Sequence, residues 1–222
     1  IEDGVGNRVI TRYAYSGGYA FSAFINGKKE TDYFGFSRFE TIDAYNSKSM
    51  SNYYTTPFDD FRKNRALAGA IKESYFYGSD NIEYAKTYYN YKIHDIQTSG
   101  IVYHALGGMD RSYLIEPVKV QKYMKGHLIQ TTESNIVLAT NDYEMLSKTE
   151  RVTDHYQDNV HNPVTIENYS EFDNIYDTNE MRLKFKRTMQ GSIHETTTDY
   201  VYDNKGNVIE EKLSYSGSGL PT

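Results

Sequence analysis

Thr197-Thr198-Asp199-Tyr200-Val201-Tyr202-Asp203-Asn204-Lys205-Gly206-Asn207-Val208-Ile209 spells a complete β-hairpin. A β-branched, aromatic run meets a short polar turn with one glycine, and an alternating apolar run leaves it. Asp203 and Asn204 favour the turn, and Gly206 supplies the left-handed backbone position that a short loop with a bulge requires. A chain that writes one such unit and repeats its alternation elsewhere is constrained to antiparallel sheet.

The alternation recurs along most of the length. Val9, Thr11, Tyr13 and Tyr15 share one face of a strand that Ser16-Gly17-Gly18 is expected to end. Asn26-Gly27 is a strong hairpin signal between residues 21–25 and 28–34. Ile71, Glu73, Tyr75 and Tyr77 alternate up to Gly78-Ser79-Asp80-Asn81, which turns the chain into a second run over 82–93. Met124-Lys125-Gly126 separates runs at 118–123 and 127–132, and a closing hairpin is expected over 193–215. Met181, Leu183, Phe185 and Met189 are expected to face one way, with Arg182, Lys184 and Lys186 opposite. Helical signals are few: residues 58–70 follow Pro57 and stop near Gly69, as one or two helical turns or an ordered loop. Residues 100–108 read as loop, and Asn159 to Pro163 as a turn.

The expected fold is therefore all-β, an antiparallel hairpin meander with little helix. It forms a single β-rich segment over 1–222, with a subregion over 1–60. Hydrophobic residues make up 38% and mean hydropathy is −0.70, too little for a deep aliphatic core. Twenty-three tyrosines and ten phenylalanines offset this, since an aromatic ring buries a large area while tyrosine keeps a polar tip. The expectation is much exposed sheet over a thin core.

Net charge is −6 and no basic cluster stands out, which argues against nucleic acid as a partner. Cysteine is absent, excluding disulfides and thiolate metal sites. No apolar run approaches a membrane span, and no secretory leader is read. The chain opens on Ile1 and closes on a Ser-Gly-rich stretch, as expected of a piece of something longer.

Chemistry-bearing patterns are sparse. Carboxylates adjoin at Asp59-Asp60 and Glu210-Glu211 and are spaced at Glu171/Asp173 and Asp177/Glu180. A glycosidase needs two carboxyls facing one cleft, and strand neighbours point to opposite faces. The six histidines show no metal-ligand spacing, no nucleophile elbow occurs, and the glycine pairs lack a phosphate-loop frame. No catalytic, cofactor or metal residue is assigned. Tyr53-Tyr54, Tyr88-Tyr89 and Tyr91 read either as a sugar-stacking platform or as cross-strand aromatic ladders.

Tyr200-x-Tyr202-Asp203-x-x-Gly206-Asn207 resembles the YD (Rhs) repeat. Tyr13-x-Tyr15-x-Gly17-Gly18 resembles a strand end in the middle region of the B component of Tc insecticidal toxin complexes and SpvB-like proteins. Gly35-Phe36, running into Asp43, and Leu67-Ala68-Gly69 before a strand are similar to further elements of that family, in the same order. The resemblance covers residues 8 to about 215. It implies a curved strip of a β-shell that encloses a toxic polypeptide cargo, in a secreted or cell-surface bacterial protein. On that reading the segment is structural, not an enzyme, binds no cofactor, and has flanking shell segments as partners. The competing readings are a self-contained carbohydrate- or surface-binding β module and, behind it, a glycoside hydrolase.

Overall fold

A computed structural model describes residues 10–25, 28–55, 67–96, 112–139, 145–156, 161–175, 180–190 and 194–216. All regular structure in these residues is strand: β1 (Arg12–Ile25), β2 (Lys28–Ile42), β3 (Lys48–Tyr53), β4 (Ile71–Tyr77), β5 (Glu83–Ile96), β6 (Ser112–Met124), β7 (His127–Leu138), β8 (Met145–Asp154), β9 (Val164–Ile175), β10 (Glu180–Gln190), β11 (His194–Tyr202) and β12 (Val208–Ser216). They form one antiparallel sheet whose strand order is the chain order, β1 to β12, without closure into a barrel. The meander expected from the alternation is what forms. Most of the expected helix at 58–70 and the loop at 100–108 lie outside the described residues; residues 67–69 form a turn.

By packing, the strands divide into two units. One comprises residues 1–115 and 120–128, the other 116–119 and 129–222. In the first, β1 to β5 pair in sequence. In the second, β7 to β12 do the same.

Turn chemistry sets the registers. Ile25 pairs with Lys28, so the Asn26-Gly27 connection is two residues long, although those two residues are outside the described set. Lys125 (φ 47) and Gly126 (φ 80) both take positive φ, which a two-residue turn matched to strand twist demands. Three longer turns share one hydrogen-bond scheme. Asp43 N donates to Ser47 O at 3.0 Å, Gly78 N to Ile82 O at 3.0 Å and Asp203 N to Asn207 O at 2.9 Å. In each, the fourth residue is left-handed: Asn46 (φ 64), Asn81 (φ 60) and Gly206 (φ 86).

Two sequence expectations need correction. Gly17-Gly18 does not end a strand, because β1 continues to Ile25. Ser16 pairs with Arg38 and Gly18 with Phe36, so the glycines interrupt the alternation and not the pairing. The one-sided reading of β10 fails at a bulge. Leu183 pairs with Phe172 and Phe185 with Glu171, leaving Lys184 as the extra residue. Phe172 and Glu171 are strand neighbours, so Leu183 and Phe185 lie on opposite faces.

The core is thin. Among the described residues Met50 is the buried hydrophobic side chain, and Thr55, Glu116 and Thr131 are the buried polar ones. The most buried is a carboxylate: Glu116 is 1% exposed and accepts a hydrogen bond from Ser134 Oγ at 3.3 Å. At the other extreme, each residue of β12 is exposed.

Candidate functional site

The first unit carries an aromatic hollow of about 360 Å³, lined by Tyr15, Gly35, Phe36, Phe39, Tyr53 and Gly69. Three strands and one turn build it. Tyr13 and Tyr15 stand opposite Thr41 and Phe39 on one face of the β1–β2 pair. The Tyr13 and Phe39 rings stack at 6.1 Å and 11° between planes, while Tyr15 tilts against Phe36 at 5.1 Å and against Phe39 at 5.0 Å. These rings remain open to solvent: Tyr15 is 58% and Phe36 49% exposed.

Glycines shape this wall. A Cβ at Gly18 would make ordinary van der Waals contact with the Phe36 ring at 3.4 Å, which places that ring against β1. Gly17 (φ 64) faces Ser37, whose Oγ donates to Ser16 O at 3.2 Å, and a Cβ there would collide with that hydroxyl. Gly35 (φ 79) and Gly69 (φ 81) border the hollow, and a Cβ on either would meet nothing within 4 Å. Gly69 is fixed by its N–H donating to Tyr54 O at 3.1 Å, and Ala70 N closes the turn onto Leu67 O at 2.8 Å.

The structure thus brings together Tyr13, Tyr15, Gly17, Gly18, Gly35, Phe36 and Gly69, read from sequence as separate elements. Phe39, central to the wall, went unnoticed because only the β1–β2 register places it beside Tyr15. Tyr53 is the single member of the expected sugar platform that lines the hollow. Others in that set make edge-on pairs, Tyr54 with Tyr91 at 6.0 Å and Tyr88 with Tyr123 at 5.8 Å. The Tyr91 hydroxyl donates to Ile71 O at 2.8 Å, and burial pushes the Tyr54 and Tyr91 phenols up.

Tyrosine faces elsewhere in this unit carry lysines. Lys48 Nζ sits 4.5 Å from the Tyr77 ring, Lys86 Nζ 5.2 Å from Tyr75 and 4.6 Å from Tyr88, and Lys125 Nζ 5.6 Å from Tyr84. Burial, with Glu73 alongside, raises the Tyr75 phenol. Burial would raise Glu73 itself, but hydrogen bonds from Asn52 and Tyr75 and the charges of Lys72 and Lys86 hold it below its ordinary value.

The second group of sequence-chosen residues, Tyr200, Tyr202, Asp203, Gly206 and Asn207, lies in the other unit as a turn lock. Asp203 Oδ1 accepts the Lys205 and Asn207 amides at 2.8 Å each, and Oδ2 accepts Asn207 Nδ2 at 2.9 Å. Asp43 is its sibling, with Oδ1 accepting Tyr45 N at 2.9 Å and Ser47 N at 2.8 Å. The hydrogen bonds from Asn207, side chain then backbone, hold Asp203 below the ordinary carboxylate value. The Tyr202 hydroxyl donates to Leu183 O at 2.7 Å, and the Arg182 guanidinium lies 5.5 Å from the Tyr202 ring.

A charge ladder crosses β6 to β10 in that same unit. Lys119 Nζ is 3.3 Å from Glu133 Oε1, Arg151 Nε is 2.6 Å from Glu167 Oε2, and Arg187 Nη2 is 3.5 Å from Glu167 Oε1. Register places Glu133 opposite Arg151 and Arg151 opposite Glu167, so the signs alternate on one face. A second hollow of about 330 Å³ lies along it, lined by Glu133, Ser134, Asn135, Thr149 and Arg151. Among its described lining residues the carboxylate is the ladder's Glu133. Of the carboxylates weighed for hydrolysis, Glu171 is held by Lys184 Nζ at 2.9 Å, which lowers it, and Glu210 and Glu211 stand on exposed β12. Asp59, Asp60 and Asp177 lie outside the described residues. His155 Nε2 is 3.1 Å from Thr131 Oγ1, and among the described residues no group of three metal-ligating side chains converges.

No protein-family model matches this chain, and no curated protein matches it.

Proposed function

We propose that this chain is a structural wall segment of a YD/Rhs-type shell, part of a secreted bacterial protein that encloses a polypeptide cargo. The observation that carries the reading is the sheet's wetness. The twelve strands run in chain order, yet their most buried side chain is a glutamate, with Met50 the buried hydrophobic among the described residues. Free-standing β domains pack one sheet face on a core. A wall between two aqueous spaces has no such face. It is held by ladder hydrogen bonds and cross-strand pairs, here the alternating charges from Lys119 to Arg187 and the lysine-capped tyrosines. The recurrence of one turn scheme at residues 43–47, 78–82 and 203–207 suits a wall made by repeating a hairpin. The segment's partners are then flanking strands of the same shell, joined along sheet edges such as β12.

The intact mass of the native polypeptide tests this. Immunoblotting and mass spectrometry of producing cells and their medium should find this sequence in a product several times 25.6 kDa. A stable native species near that mass would overturn the wall reading.

A further inference from the structure

We propose that the outer edge of β12 pairs with the same edge of a second copy of this chain, antiparallel about a two-fold axis at Leu213. The wall reading asks for some strand on this edge without saying whose, and the dimer does not rest on it. Among the described strands β12 ends the order, and each of its residues is exposed, Leu213 at 52% and Tyr215 at 62%. The closing turn fixes which of its backbone groups point outward. Asp203 N donates to Asn207 O, so these two form a hydrogen-bonded pair, and such pairs alternate along an antiparallel ladder. Val201, Asp199 and Thr197 therefore bond β12 through Glu210, Lys212 and Ser214. The N–H and C=O groups of Glu211, Leu213 and Tyr215 point away from β11. The bulge at Ile209 precedes this stretch, so its alternation is unbroken.

The side chains along that edge select the register. Outward groups must meet outward groups, so the axis falls at a residue and not between two. An axis at Lys212 sets lysine against lysine, and one at Glu211 sets glutamate against glutamate, both repulsive. Axes further along, at Ser214 or Tyr215, carry Glu211 past the end of the partner's β12. An axis at Leu213 opposes no like charges. It pairs Leu213 with its own copy and, on either side, Glu211 with Tyr215, so every outward residue exchanges backbone bonds. On one face the seam covers Leu213 and Tyr215, both exposed apolar side chains in the single chain. On the other face Lys212 lies opposite a Ser214 hydroxyl. The edge is self-complementary, and a two-fold contact of this kind closes at the dimer.

Analytical ultracentrifugation of the 222-residue chain, from about 1 µM to 1 mM, should show a monomer passing to twice 25.6 kDa. Leu213→Lys, which sets two like charges at the axis, should weaken association at least about tenfold. Leu213→Pro removes an N–H that bonds only the second copy, so it should abolish the dimer and leave the β11–β12 ladder in place. The chain holds no cysteine, so single introduced thiols report on the register. With diamide as oxidant, Leu213→Cys should link two copies, since Cα atoms facing across the axis lie about 5.5 Å apart. Lys212→Cys should not, because its copies are staggered by two residues, about 7–8 Å, beyond disulfide reach. A monomer throughout the range, growth past the dimer, association indifferent to Leu213→Lys, or diamide linking Lys212→Cys as readily as Leu213→Cys would each overturn the proposal. A monomer would leave the wall reading standing, with another strand on this edge.

Discussion

Gly17 and Gly35 both take positive φ, yet they differ in what surrounds them. A methyl at Gly35 meets open space, so Gly35→Ala should cost only the backbone strain, about 1 kcal/mol. At Gly17 the methyl also collides with Ser37 Oγ, and Gly17→Ala should cost about 2–3 kcal/mol by urea denaturation. Asp203 makes a second residue-scale prediction. Its folded pKa lies below the ordinary 3.8, so its contribution is fully present above that value and is lost as pH falls through the lowered one. The protection of the Asn207 amide relative to its intrinsic exchange rate should therefore fall in that acid window, and Asp203→Ala should lower it at pH values above the window as well. At this scale the closing turn was legible, because Asp203 and Gly206 are the residues its dihedrals demand. The turn over 78–82 was legible as well, from Gly78-Ser79-Asp80-Asn81, and in it and in the turn over 43–47 asparagine stands at the left-handed position.

Bulges decide what period-2 reading can reach. Phe34, Lys72, Tyr84, Leu146, Lys184 and Ile209 are each the extra residue in a paired ladder. Each shifts the following alternation by one, so a face assigned from sequence holds only up to the next bulge. Strand existence survived this; the facing of Leu183 against Phe185 did not. The hollow was illegible for the same reason, since Tyr15, Phe39 and Tyr53 come from three strands whose registers are set by turns and bulges. The elements themselves lean on few buried contacts. Met50→Ala on β3 should cost about 2–3 kcal/mol by urea midpoint, large for a sheet with so thin a core. Glu167→Gln, which takes the shared partner from Arg151 and Arg187, should lower the midpoint at low ionic strength and matter progressively less as salt is added.

For the whole molecule, composition already announced the wet sheet. Tyrosine, threonine and mixed charge outnumber aliphatics because neither face must be dry. The proposal that such a sheet encloses a cargo comes only from resemblance, since among the described residues no cluster of metal-ligating side chains points to a particular chemistry. A wall separates two spaces, and because these 222 residues hold no cysteine, a cysteine introduced among them can be followed by mapping label to its own peptide. Glu133 on β7 is exposed and Lys148 on β8 half-buried with 42% of its side chain accessible, and they lie on opposite faces, because Lys148 pairs with Ile136, three positions from Glu133. The decisive measurement is maleimide labelling of Glu133→Cys and Lys148→Cys in the native full-length polypeptide, with a small reagent and with one too bulky to pass a shell. The wall account predicts that the small reagent modifies both positions and the bulky reagent only one. Equal modification of both by the bulky reagent would contradict it.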